Sequence, residues 1–366
     1  MSDSRLFQPF RLGQLALDNR IVIAPMCQYS ARDGHASEWH LMHFGQMMQS
    51  GAGLFIIEAT AVEPEGRISA EDLGLWSDEH ASSLAATLEA VRRHSAMPVA
   101  IQLGHAGRKA SVARPWEGGT HIPPAAGGWQ TVAPSAQGHA SADTPPQALD
   151  AGGLSRVRAA FADAARRAEA IGIDAVELHM AHGYLLHQFL SPLANTRDDA
   201  YGGDLASRMR FPLEVFDAVR AVLSPGKPLG VRISATDWVD GGWDLAQSIE
   251  LARALKSRGA AYIHVSSGGL STAQTIPTGP GYQLPFADAL RKAVPGLPVI
   301  AVGLITEARH AERILQSGQA DLIALARAML YDPRWPWHAA AELGARLKVA
   351  PQYLRCAPHG LHNLSA

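Results

Sequence analysis

Cysteine is scarce in this chain: Cys27 and Cys356 are the only two in 366 residues. Two thiols cannot frame a disulfide scaffold, nor supply the four thiolates that hold an iron–sulfur cluster. Concentrated charge is missing as well. The net charge is −2, and no basic cluster exceeds a pair such as Arg166-Arg167. That is too little to track a phosphate backbone, so nucleic acid is not an expected partner. No apolar run reaches membrane-spanning length, and residues 1–7 lack the basic-then-apolar order of an export signal. A reducing, cytoplasmic setting away from membranes is the expectation. Finally, no Gly-x-Gly-x-x-Gly follows an apolar run, which removes the dinucleotide fingerprint of a doubly wound sheet.

What remains is ordinary globular material, 47% hydrophobic and 18% charged. Eight short apolar runs rich in Val, Ile and Leu recur, at residues 20–26, 54–60, 98–103, 175–180, 229–234, 262–268, 298–303 and 322–327. They are near-continuously hydrophobic rather than alternating, the pattern of strands buried on both faces. Amphipathic stretches lie between them, for example 155–171, 207–223, 245–258 and 307–317, several closed by Gly. Eight strands alternating with helices predict one domain, 1–366, folded as a (β/α)8 TIM barrel. Residues 111–153 break the rhythm with Ala, Gly, Pro, Ser and two scattered tryptophans. A structureless connector of that length does not suit a compact domain, so an ordered excursion between strands 3 and 4, over the barrel mouth, is expected. Residues 351–366 read as an irregular tail.

In such a barrel the chemistry sits at the C-terminal ends of the strands. Those ends carry Ala24-Pro25-Met26-Cys27-Gln28-Tyr29, Glu58-Ala59-Thr60, Gln102-Leu103-Gly104-His105, His179-Met180-Ala181-His182-Gly183-Tyr184, Arg232, Ser266-Ser267-Gly268-Gly269, Gly303 and Ala326-Arg327. Polar, cationic and glycine residues thus gather on one rim, where a purely structural barrel needs only caps. His179 and His182 can both donate to one carbonyl or nitro oxygen; packing or capping is the competing reading. A metal is not expected, because no third ligand stands at a familiar spacing. His40 and His43 share the three-residue spacing within a helical stretch and read as structural. Tyr184 can deliver a proton to carbon, or simply sit half-buried on a helix. Arg232 ends a buried strand and needs an anion; Glu177 and Asp237 are alternative partners to a bound one. Gly303 with Ala326 and Arg327 ends the last two strands, where barrels hold phosphate. Cys27 is either a thiol at the mouth or a small buried hydrophobe.

In this order the motifs resemble the Old Yellow Enzyme family, in particular its thermophilic-like subclass. The markers are Pro25-Met26-Cys27-Gln28-Tyr29, Glu58-Ala59-Thr60-Ala61-Val62, Gln102-Leu103-Gly104-His105-Ala106-Gly107-Arg108-Lys109, His179 and His182 with Gly183-Tyr184, and Asp321-Leu322-Ile323 before Arg327. The resemblance implies a non-covalent FMN, reduced by NAD(P)H and reoxidised by an activated C=C bond in ping-pong order. It implies that Ala24, Pro25, Met26 and Cys27 line the flavin, that Ala59 and Gln102 bond its edge, and that Arg232 faces its N1/O2 side. Gly303, Ala326 and Arg327 would hold the phosphate. His179 and His182 would grip the substrate oxygen beside Tyr29, Tyr184 would donate the proton, and Arg355 would reach a neighbouring subunit's site in a homodimer or homotetramer. Ala326 departs from the family's usual Gly, which a methyl group tolerates only at negative φ. Two rivals follow from the fold alone: a flavin-free phosphate-binding lyase or aldolase, for which Lys109 and Lys227 are poorly placed, and a non-catalytic carrier.

Overall fold

A computed structural model of the chain describes residues 4–357. Eight parallel strands close into a barrel: β1 (Ile21–Ile23), β2 (Leu54–Ala61), β3 (Val99–Gly104), β4 (Ala175–Met180), β5 (Leu229–Ser234), β6 (Tyr262–Ser266), β7 (Val299–Ala301) and β8 (Leu322–Leu325). β8 pairs with β1 through Ile323 with Ile21 and Leu325 with Ile23, which completes the circle. The fold is the expected (β/α)8 TIM barrel. Helices follow the strands, among them α1 (Glu38–Met48), α2 (Asp78–Arg92), α3 (Ala151–Ala170), α4 (Leu185–Leu190), α5 (Leu205–Val222) and α6 (Leu245–Ser257). Among the described residues no helix is long and apolar enough to cross a membrane.

Because side chains alternate along a strand, each strand feeds two cores. Outward residues such as Ile57, Ile101, Leu178 and Val231 pack under the helices against Phe161, Phe189 and Phe216. Inward residues fill the barrel, and the filling changes along its axis. At the N-terminal end Val22, Leu54, Ile56, Ala100, Ala175 and Ile300 make an apolar plug with Leu12 and Leu17. Those last two come from a hairpin, Phe10–Leu12 paired with Leu15–Leu17, that closes the barrel floor. The apolar runs of the sequence predict no strand there.

Towards the C-terminal end the inward layers turn polar. Register sets Ala59 beside Gln102, Gln102 beside Glu177, and the row His179, Arg232, His264 across three adjacent strands. A bulge between Ile57 and Ala59 re-aims the end of β2. Gly230 is obligatory below this layer, since a Cβ there would lie 2.1 Å from the Tyr262 ring.

Two boundaries differ from expectation. α3 starts at Ala151 rather than 155, because the Asp150 side chain accepts from the Gly153 amide at 2.7 Å and outweighs two glycines in the first turn. Arg327 does not end β8; it opens a short helix, Arg327–Tyr331. The excursion is ordered. Short strands Val132–Ala133 and Gln147–Ala148 pair within it, Trp129 Nε1 donates to the Glu65 carbonyl at 3.0 Å, and Arg197 Nη1 donates to the carbonyls of Pro134 and Leu149.

Candidate active site

The turn after β4 carries the candidate catalytic residues His182 and Tyr184. His182 has φ +57 and Gly183 φ +75, so the chain reverses within two residues and returns the imidazole over the barrel. A Cβ on Gly183 would lie 2.2 Å from the Gly269 carbonyl oxygen; the turn therefore seats against the loop after β6 only because Gly stands there. Behind it, the Gly183 amide donates to His187 Nδ1 at 2.9 Å. His187 Nε2 pairs with Asp237 at 2.9 Å, and Asp237 also accepts from the Ser191 hydroxyl and the Trp243 amide.

The two imidazoles belong to one directed chain of hydrogen bonds. The Ala181 amide donates to His179 Nδ1 at 3.2 Å, which leaves the proton on Nε2. His179 Nε2 lies 3.3 Å from His182 Nδ1, and His182 Nε2 lies 2.7 Å from the Ser266 hydroxyl. Ser266 in turn donates to Gln283 Oε1. Burial, and then the charge of Arg232, pulls both imidazoles well below the usual histidine range, so both are neutral at pH 7. An oxygen accepting from both rings displaces the 3.3 Å ring-to-ring contact and requires the other His182 tautomer, with the proton on Nδ1 and the Ser266 hydroxyl donating to the bare Nε2. Tyr184 stands edge-on to His179 at 4.9 Å between ring centroids, and burial drives its phenol well above 10.

Around these, the sequence candidates converge. Cys27, Tyr29 and Tyr184 pack in one apolar cluster with Ile68, Ala106, Val112 and Trp129, so the excursion forms a wall of the site. Burial, then the charges of Asp72 and Glu58, push the Cys27 thiol well above its ordinary value; it is a neutral thiol. Ala24 donates to the Leu325 carbonyl at 2.9 Å, with Pro25 buried and Met26 half-buried after it. Gln102 Nε2 donates to Glu177 at 2.7 Å, and His264 lies 3.0 Å from the other oxygen of Glu177. The sequence marks that buried carboxylate only as a partner for Arg232 and Ser266 only as one of the rim residues, and gives neither its place in these hydrogen-bond chains.

Both alternative partners of Arg232 are engaged elsewhere. Asp237 is committed to His187 and Ser191, and Glu177 to Gln102 and His264. Arg232, 7% exposed, has no hydrogen-bond partner for its Nε and forms no ion pair among the described residues, although the buried Glu177 carboxylate acts on it through its charge. A buried guanidinium of this kind is built to meet an anion from outside the chain. Gly303 supplies a matching feature: its φ is +125, and a Cβ would lie 2.8 Å from Gln283 Nε2. Ala326 has φ −107, the sign that a methyl group requires. These features fit an anionic, phosphate-bearing cofactor such as FMN. Arg355 is exposed beyond the short helix Pro351–Tyr353 and is not brought to this site within the chain.

Comparison with known proteins agrees with the geometry. The model of the NADH:flavin oxidoreductase / NADH oxidase family matches residues 5–345. A Geobacillus thermodenitrificans protein named NADPH dehydrogenase is 42% identical over 96% of this chain and 98% of its own. A Gibberella zeae NADH:flavin oxidoreductase is 39% identical over 95% and 88%. The solved structure of morphinone reductase with tetrahydroNAD matches with a TM-score of 0.76 at 30% identity, over 95% of this chain and 93% of that one. This chain belongs to the NADH:flavin oxidoreductase / NADH oxidase family and is an FMN-dependent NAD(P)H oxidoreductase of the Old Yellow Enzyme class.

Proposed function

We propose that the enzyme is an ene-reductase acting on α,β-unsaturated ketones, aldehydes, imides and nitroalkenes. The observation that carries the reading is the neutral imidazole pair beside a buried phenol, all three facing one mouth. Bound FMN supplies the chemistry of a two-electron carrier between NAD(P)H and the acceptor. The rest falls to the chain. Ala24, Pro25, Met26, Cys27, Ala59, Gln102 and Arg232 line and hold the cofactor, and Gly303, Ala326 and Arg327 take its phosphate. Arg232 places fixed positive charge where an anionic ring system gathers electrons.

His179 and His182 grip the acceptor's oxygen and stabilise the charge that develops there, while Tyr29 flanks the substrate. Tyr184 Oη gives its proton to the acceptor's α-carbon; its raised phenol keeps that proton available across the neutral range. One mouth serves donor and acceptor in turn, hence ping-pong order. Assembly into a homodimer or homotetramer, with Arg355 reaching a neighbour's mouth, belongs to the same reading.

The test begins with colour and turnover. The purified protein should be yellow, bleach with NADPH and recover with 2-cyclohexen-1-one. Y184F should bleach normally and recover slowly. A preparation still colourless after incubation with excess FMN ends the reading and leaves the lyase alternative. In the structure Lys109 Nζ donates to two carbonyls rather than facing a Schiff-base partner.

A further inference from the structure

Beside Tyr184, between the barrel rim and the excursion, lies a cavity of about 560 Å³. Ile68, Val112 and Pro123 give it an apolar side, while Arg108, Lys109 and Asp143 bring charge. The two cations are neighbours in sequence, and neither forms an ion pair with a carboxylate among the described residues. Arg108 is held by carbonyls: Nη1 donates to Gln137 and Gly138, and Nη2 to Leu270 at 3.1 Å. Lys109, half-buried, donates from Nζ to the carbonyls of His182 at 2.9 Å and Gly269 at 2.8 Å. An ammonium has three N–H groups, so one of them has no oxygen or nitrogen acceptor in the described chain, and the Tyr184 ring lies 5.2 Å from Nζ. Asp143 lines the same cavity, and its Oδ2 accepts from the Ala140 amide at 2.8 Å.

Carbonyl dipoles solvate a cation without cancelling its charge, so Arg108 and Lys109 against the single carboxylate of Asp143 leave the lining net positive. Burial and then the adjacent Arg108 lower the Lys109 ammonium to about 8, as expected for a cation lacking a counter-charge. The volume suits a small organic arm rather than a lone ion.

We propose that this cavity is a subsite for the anionic end, a carboxylate or phosphate oxygen, of a molecule whose reacting end lies over the barrel mouth. The proposal rests on the ene-reductase reading and adds a substrate class to it: acceptors or donors with an anionic arm are selected over neutral ones. Lys109 meets that arm with its free N–H, and Asp143 opposes it.

Two variants with opposite expectations test this. K109M should raise the KM of the carboxylate-bearing enone 4-oxo-2-pentenoate about tenfold or more, and that of neutral 2-cyclohexen-1-one far less; K109R should restore most of the difference. D143N keeps an oxygen for the Ala140 amide and removes the opposing charge, so it should lower KM for the charged enone alone. The same asymmetry between NADPH and 1-benzyl-1,4-dihydronicotinamide, read as flavin bleaching with no acceptor present, would assign the subsite to the donor's phosphates instead. A K109M defect equal for all four compounds, with D143N unchanged, overturns the proposal and leaves Lys109 as a strut between two loops. Because the donor arm needs no enone, wild-type enzyme that bleaches but reduces neither enone defeats the functional reading while the subsite is still measured.

Discussion

At the scale of single residues, the site works by holding histidines neutral. A protonated imidazole would bind an oxygen more strongly but would be costly beside Arg232; burial and that guanidinium decide the balance by lowering both rings. Removing one of two neutral donors to a developing oxyanion costs about 3 kcal/mol, roughly a hundredfold. H179A or H182A should therefore cut enone turnover by about that factor and affect NADPH bleaching far less, as stopped-flow traces of the two phases would show. Equal losses in both phases would make the pair structural. Asp72 gives a second, opposite kind of prediction. Its oxygens accept from the Ile68 amide and the Ser69 hydroxyl, yet burial raises its carboxyl to about 7. A carboxyl raised on folding binds more protons in the native than in the unfolded state. The stability it contributes is complete below the unfolded value near 3.8 and is lost as pH climbs to about 7. The loss amounts to roughly 4 kcal/mol across that window. D72N lacks the penalty, so its unfolding midpoint relative to wild type should rise from pH 5 to pH 8; a constant difference would refute the assignment.

At the scale of elements, the turn after β4 and the loop after β6 depend on each other, and Gly183 is where they meet. With φ +75 and backbone oxygen 2.2 Å from any added Cβ, G183A must push the two loops apart. The expected result is a fall of several degrees in Tm together with loss of enone turnover, since His182 rides on the displaced turn. Unchanged Tm and turnover would mean that the two loops yield without disturbing the imidazole. The barrel strands are legible in the sequence because strands buried on both faces are written in one apolar alphabet. The floor hairpin is not, although Leu12-Gly13-Gln14-Leu15 has Gly at φ +57 in a tight turn; three-residue strands leave too short a period to read. The start of α3 is hidden for another reason: Gly152-Gly153 argues for loop, and only the Asp150 side chain tips those residues into the helix. Motif order brings most of the rim residues to one place. The Glu177 layer beneath them stays invisible, because a carboxylate inside a barrel is interpretable only once its Gln102 and His264 neighbours are known.

At the scale of the whole molecule, the polar upper half of the barrel is a deferred cost. The apolar floor closes itself with Leu12 and Leu17, whereas the upper layers keep a buried Arg232 that feels the Glu177 charge but forms no ion pair with it. That charge weakens the empty protein, and in the proposed reading the ring edge of the cofactor offsets part of it, so binding and folding are linked in part through this guanidinium. At an FMN concentration a hundredfold above Kd the linkage is worth about 2.7 kcal/mol. For a chain of 366 residues, with an unfolding entropy of roughly 2 cal/mol/K per residue, the corresponding rise in Tm is about 3–4 °C. R232M replaces the guanidinium with an uncharged chain of comparable length. The apo variant should melt near or above the apo wild type, because it no longer buries a guanidinium without an ion pair, while the rise on adding the same FMN concentration should shrink. Scanning calorimetry of apo and FMN-loaded forms of both proteins separates the two effects. An R232M apo form that melts far below wild type would show that Arg232 is compensated inside the chain, and a full FMN-induced rise in R232M would show that Arg232 contributes nothing to holding the cofactor.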